Sequence, residues 1–139
     1  MCLPPDAGQI PRENELRATA ILEHVLAHPG DLLAFARRRL LSRWQRLEAA
    51  FAGSRTFRLE PRDTPTADTY SGAAQYEASP AYAWIEKLGG GDATAALEVA
   101  GVRGRAGDKF GAGVQFVRLE LLMREETFDL MLEKLAAVL

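Results

Sequence analysis

One hexapeptide constrains the fold more than any other part of the chain: residues 116 to 121, Phe-Val-Arg-Leu-Glu-Leu. Strand side chains alternate between two faces, so Val117, Leu119 and Leu121 share one side while Phe116, Arg118, Glu120 and Leu122 share the other. The first side is apolar and belongs against a core. The second carries a guanidinium and a carboxylate two residues apart, so it is either solvated or holds something charged, since neither group enters an apolar interior without a partner.

The rest of the chain alternates helical and strand patterns. In "NELRATAILEHVLAH", Ala18, Ile21, Leu22 and Val25 recur at helical spacing behind Asn14 as N-cap, and "HPG" at 28 to 30 stops the helix. Asp31 then caps a second helix with an apolar stripe of Leu33, Leu40, Trp44, Leu47 and Phe51. Arg37, Arg38, Arg39, Arg43 and Arg46 fall on its far side, which reads as a solvated face. "TFRLE" at 56 to 60 and "AYAWIEK" at 81 to 87 alternate as strands, and the Pro-, Ser- and Thr-containing residues between them read as a long loop suited to meeting a neighbour. Asp92 caps a short helix ended by Gly101, a glycine-rich loop leads into the strand of Arg118, and Glu125 and Glu126 open a last helix. Phe128, Met131, Leu132, Leu135 and Leu139 form the core face of that helix.

The order α-α-β-β-α-β-α, with no internal repeat, predicts an α/β fold, a small two-layer sandwich of helices on a short sheet. At 139 residues the chain suffices for one domain, expected over 11–139 behind a disordered N-terminal segment at 1–10. A formal charge of -2 gives no reason to expect nucleic acid or an anionic membrane as partner. No apolar run approaches the roughly 20 residues of a membrane helix and no signal peptide is visible, so the expected location is cytoplasmic. The single cysteine, Cys2, excludes an intramolecular disulfide and a cysteine-rich zinc site.

Most motif-based chemistries find no support. Gly104, Gly107, Gly111 and Gly113 match neither phosphate-loop pattern, and the element after them reads as a strand where a phosphate loop feeds a helix. His24 and His28 lack a third metal ligand nearby. Ser42, Ser54, Ser71 and Ser79 stand in no nucleophile elbow, and Lys109 reads as a solvated loop residue. Arg118 remains. Its planar fork matches a bidentate carboxylate or phosphate, and the competing reading is a structural salt bridge with Glu120 or a helix acid.

Taken together, "SPAYAWIEK", "RAGDKFGAGVQ", "FVRLELL" and "EETFDLMLEKL" are similar in order and spacing to the C-terminal domain of the alliinase and tryptophan aminotransferase-related family, pyridoxal-phosphate enzymes of fold type I. Upstream, "ENELRATAILEHVL" and "RRLLSRWQRLEAAFAGSRTFRL" resemble that family's interdomain helix and the following tryptophan-containing helix and strand, so the resemblance covers about 11–139. It implies a small domain of the fold type I aminotransferase kind, with Arg118 clamping the α-carboxylate of an amino acid or 2-oxo acid substrate. The implied cofactor is pyridoxal 5'-phosphate, bound mainly by a large domain absent from this chain. The implied activities of full-length relatives are transamination and carbon-sulfur lysis in amino acid metabolism, and the full-length enzyme allows a homodimer. Two departures accompany the resemblance. Glu120 stands where the family usually has a small serine, and none of Lys87, Lys109 and Lys134 stands in the family's Schiff-base lysine segment, so the chain is expected to be inactive alone. The alternative expectation is a non-catalytic interaction module that retains the small-domain fold.

Overall fold

The computed structural model describes residues 12–62 and 80–139. The expected disordered segment at 1–10 and most of the loop after the first strand lie outside the described residues. The chain divides into two compact units, Met1–Ala36 and Arg37–Leu139.

In the first unit, α1 runs over Arg12–Ala27 and is followed by the His28–Gly30 turn and the opening of α2 (Asp31–Phe51). Helix α1 begins two residues before Asn14, which therefore lies within its first turn. The apolar spacing expected to bury Ala18, Ile21, Leu22 and Val25 does make a helix, yet no residue of α1 is buried, and Ile21 and Leu22 each remain 61% exposed. Leu33, counted in the apolar stripe of α2, is likewise exposed, because the buried stripe of that helix starts only at Leu40 and Trp44.

The second unit holds a four-stranded antiparallel sheet, helices, and the core. Its strands are β1 (Phe57–Leu59), β2 (Tyr82–Lys87), β3 (Arg105–Ala106) and β4 (Phe116–Glu120), in the spatial order β1-β2-β4-β3. Helix α3 (Ala93–Val99) stands between β2 and β3, and α4 (Glu125–Ala136) closes the chain. The Asp92 carboxylate caps α3 as its sequence position predicts, accepting from the Ala95 amide at 3.0 Å. Strand β3 escapes the sequence pattern because two residues are too few to show alternation. It sits within the stretch that reads as a glycine loop, directly before a 3-10 turn at Gly107–Phe110.

Register sorts the side chains. Ala83 opposes Leu119 and Ile85 opposes Val117, so these four point to one face, and all are fully buried. Phe57 joins them from β1, while Trp44, Leu47, Phe51, Leu97, Phe128, Met131 and Leu135 close over that face from the helices. A large side chain taken fully out of water contributes about 1.5–3 kcal/mol, so this single cluster carries most of the folding drive of the unit. The helix-on-sheet class expected from the sequence is the class observed.

The basic side of α2 is a correction. Arg39, Arg43 and Arg46 stand at i, i+4 and i+7, a stripe that flanks Leu40, Trp44 and Leu47, where the sequence reading put it on the far side. Arg43 is only 2% exposed. Its Nη2 donates to Glu125 Oε2 at 2.8 Å, its Nη1 donates to the Leu121 carbonyl, and the guanidinium lies 4.9 Å from the Phe128 ring centre. Arg46 donates to Glu125 Oε1 at 2.9 Å and to Asp129 Oδ1 at 2.6 Å, and Arg39 reaches Glu125 at 3.2 Å. One carboxylate at the start of α4 thus collects three arginines of α2.

Hydrogen bonding from Arg43, then the charges of Arg43, Arg39 and Arg46, hold the Glu125 carboxyl below its ordinary value of 4.5 against a partial desolvation. A folded-state value below the unfolded one means that the stabilisation is complete above 4.5 and fades as pH falls through the folded value. Glu125→Gln is therefore expected to lower the thermal midpoint at neutral pH, with the gap to the parent chain closing as pH drops below 4.5. Thermal unfolding followed by circular dichroism across that range checks this; a gap that stays constant with pH contradicts it.

Candidate functional site

Everything that register does not place in the core it places on the opposite face. There Tyr82 opposes Glu120, Trp84 opposes Arg118 and Glu86 opposes Phe116, while Arg105 of β3 opposes Arg118 from the other side. The Arg118 guanidinium meets two aromatic rings. It lies 4.2 Å from the Tyr82 ring centre and 3.9 Å from that of Phe110, close enough for both rings to attract the cation. Such contacts contribute from about 0.5 to about 2 kcal/mol each as desolvation increases.

Phe110 is brought there by the glycine-rich segment. It ends the 3-10 turn and meets Trp84 edge-on at 5.6 Å, which fixes the ring that Arg118 stacks on. Close packing underneath demands Gly107: a Cβ there would lie 2.6 Å from the Gly113 carbonyl oxygen and 2.8 Å from that of Phe116. The segment that invites a phosphate-loop reading is a backbone scaffold for one aromatic ring, and β4 follows it.

Arg118 has no acceptor among the described residues. Its Nε is buried without a hydrogen-bond partner, and no ion pair joins it to Glu120 or to a helix acid. The structural salt bridge that competes with a ligand role is absent among the described residues. Glu120, the departure beside it, is exposed and opposite Tyr82. Arg58, by contrast, is matched across β1 and β2 by Glu86 at 2.5 Å.

Two hollows flank this arrangement and share Tyr82. The larger, about 470 Å³, is walled by Trp44, Pro80, Tyr82, Trp84, Phe110 and Phe116 together with Glu60, Pro61, Arg62 and Ala112. The Trp44 indole donates to the Pro80 carbonyl at 2.8 Å, tying the start of β2 to α2. The smaller, about 220 Å³, is bounded by Tyr82, Arg103, Gly104, Arg105, Arg118 and Glu120. One side is aromatic and the other basic, with the Arg118 stack between them.

The remaining sequence candidates lie elsewhere. His24 and His28 stack at 4.6 Å at the end of α1, with His28 Nδ1 3.2 Å from the His24 carbonyl. Lys87 donates to the Gly90 carbonyl at 2.6 Å, Lys134 to that of Gly101 at 3.2 Å, and Lys109 is exposed in the 3-10 turn. No group of three or more His, Cys, Asp or Glu gathers for a metal among the described residues, and none of the described helices is long and apolar enough to cross a membrane. Sequence reasoning singled out Arg118 but missed Tyr82, Phe110 and Arg105 around it. Alternation in "YAWIEK" already puts Tyr82 and Trp84 on one face; nothing in the sequence announces the two-residue β3.

Comparison with known sequences adds the lineage. The allinase C-terminal family model matches residues 6–139. The chain belongs to this family. Similar members include tryptophan aminotransferase-related protein 1 of Oryza sativa subsp. japonica, 33% identical over 93% of this chain and 32% of that protein. Tryptophan aminotransferase-related protein 3 of Arabidopsis thaliana is 29% identical over 86% of this chain and 26% of its own length. A second rice member, tryptophan aminotransferase-related protein 2, is 26% identical over 93% of this chain and 28% of itself. The chain spans about a third or less of the relatives it matches.

The close packing under Phe110 yields a test of the scaffold. Gly107→Ala is expected to cost about 1–3 kcal/mol, the range for overpacking against atoms that cannot move aside, because the obstacles are backbone oxygens. Urea unfolding measures this; a loss under 0.5 kcal/mol, the scatter of a surface substitution, contradicts it.

Proposed function

We propose that this chain is the small, substrate-gripping domain of a pyridoxal-phosphate-dependent aminotransferase or carbon-sulfur lyase, in which Arg118 binds the α-carboxylate of an amino acid or 2-oxo acid. The observation that carries the reading is a guanidinium against two rings, with no acceptor of its own among the described residues, in the lining of the smaller hollow. Two rings crowd the guanidinium, and its N–H edge has no acceptor among the described residues. A carboxylate is the acceptor whose two oxygens match that edge. Family membership supports the same ligand, and the names of the rice and Arabidopsis relatives support transamination over lysis.

The chain's own residues do not fit the cofactor itself. Pyridoxal phosphate needs a lysine amine to receive it, and Lys87 and Lys134 donate to turn carbonyls while Lys109 is exposed. In this proposal the cofactor is held by the rest of a longer protein, and this chain is inactive without it. What Arg118 does is orient: fixing the carboxylate on a rigid fork sets the angle of the Cα substituents before chemistry begins. The aromatic hollow beside it suits an apolar or aromatic side chain.

Calorimetric titration of the 139-residue chain tests the clamp. L-phenylalanine is expected to bind measurably while phenethylamine, which lacks the carboxylate, does not. Arg118→Gln should weaken L-phenylalanine binding by about tenfold or more, the scale of a charge-assisted hydrogen bond. Equal binding of the two compounds, or an unaffected variant, contradicts the assignment.

A further inference from the structure

The basic hollow holds more positive charge than one carboxylate needs. Arg105 of β3 stands directly opposite Arg118 of β4, an arrangement of like charges that destabilises a sheet unless something neutralises it. Neither finds a carboxylate: Arg103, Arg105 and Arg118 all border the hollow, and none of their side chains is hydrogen-bonded or ion-paired among the described residues. The other cross-strand arginine on this face, Arg58, does have its acid, Glu86, so the missing partner is specific to this end of the sheet. Nor is the crowding accidental to a loose edge. Gly104 presses against β4, where a Cβ would come within 2.4 Å of Val117 Cγ2 and 3.1 Å of the Arg118 carbonyl oxygen, and this contact seats the adjacent Arg105 on its neighbour.

We propose that Arg105, with Arg103 beside it, forms a second anion subsite, so that the hollow takes a ligand with two carboxylates, one on Arg118 and the other on Arg105. The inference rests on the clamp reading of Arg118 and adds a class of substrate to it, a dicarboxylic 2-oxo acid or the acidic amino acid related to it by amino transfer. The two guanidinium groups differ in a way that suits a two-headed ligand over a single compact dianion. Arg118 lies against two rings and is half-buried, while Arg103 and Arg105 are exposed and make no ring contact, able to follow the distal group of a longer molecule. Glu120, on the same face and in the same hollow, repels an anion approaching from its side and turns the distal carboxylate toward Arg105.

Three probes separate the outcomes in calorimetric titrations of the full chain at fixed ionic strength: 2-oxoglutarate, 2-oxobutyrate and inorganic phosphate. The parent chain is expected to bind 2-oxoglutarate about tenfold or more tightly than 2-oxobutyrate, and Arg105→Gln should erase that preference while leaving 2-oxobutyrate affinity within about twofold. Arg105→Lys, which keeps the charge, should retain part of the preference, and Arg118→Gln should weaken both oxo acids. Equal affinities in the parent, or a preference untouched by Arg105→Gln, overturn the second subsite while the clamp stands. If neither oxo acid binds the parent, the clamp reading fails and this inference with it. Phosphate binding as tightly as 2-oxoglutarate, and lost in Arg105→Gln, overturns the dicarboxylate assignment in favour of a compact dianion.

Discussion

The pairing of β2 with β4 is the constraint on which the rest depends. With Ile85 opposite Val117 and Ala83 opposite Leu119, four small and branched side chains point into the core, and the residues between them are forced outward. A slip of one residue would turn Trp84 and Arg118 inward and expose the core. Correct burial and correct presentation of the guanidinium are therefore one event. The energy that fixes the site comes from the hydrophobic cluster on the far side of the sheet, and the site itself need contribute little.

A second constraint ties the helical layer to the end of β4. Arg43 of α2 is buried beside Phe128 and bonds both the Leu121 carbonyl, one residue past the strand, and Glu125, the first residue of α4. Chain direction at the end of β4 is thereby locked to α2. A buried charge without its partner is costly, so this arrangement specifies how the helices meet the sheet more than it adds net stability. Its position also matters for the site: the locked segment follows Glu120 directly.

How much of this was legible in the sequence depended on the length of each pattern. Five residues of alternation in β4 sufficed to separate Val117 and Leu119 from Arg118, and capping chemistry placed α3 behind Asp92. Arg43 misled because a run of arginines resembles a solvated stripe; only the i, i+4, i+7 spacing shared with Leu40, Trp44 and Leu47 distinguishes it, and the decisive partner lies 82 residues away. The aromatic box around Arg118 was half visible, since Tyr82 and Trp84 follow from alternation. Phe110 and Arg105 were not, because a 3-10 turn and a two-residue strand carry no periodicity and acquire their positions only from packing against β4.

The Arg118 guanidinium lies against Tyr82 and Phe110 with no acceptor among the described residues, and in the proposed function it receives a carboxylate. Its side-chain Nε–H resonance, observed by nitrogen-resolved nuclear magnetic resonance during titration with L-phenylalanine, tests that claim most directly. The account predicts a resonance displaced by the ring currents of the two aromatics in the free chain, set apart from those of exposed arginines, that moves further as ligand is added. A resonance that coincides with exposed Arg103 and Arg105, and that ligand leaves in place, would contradict it.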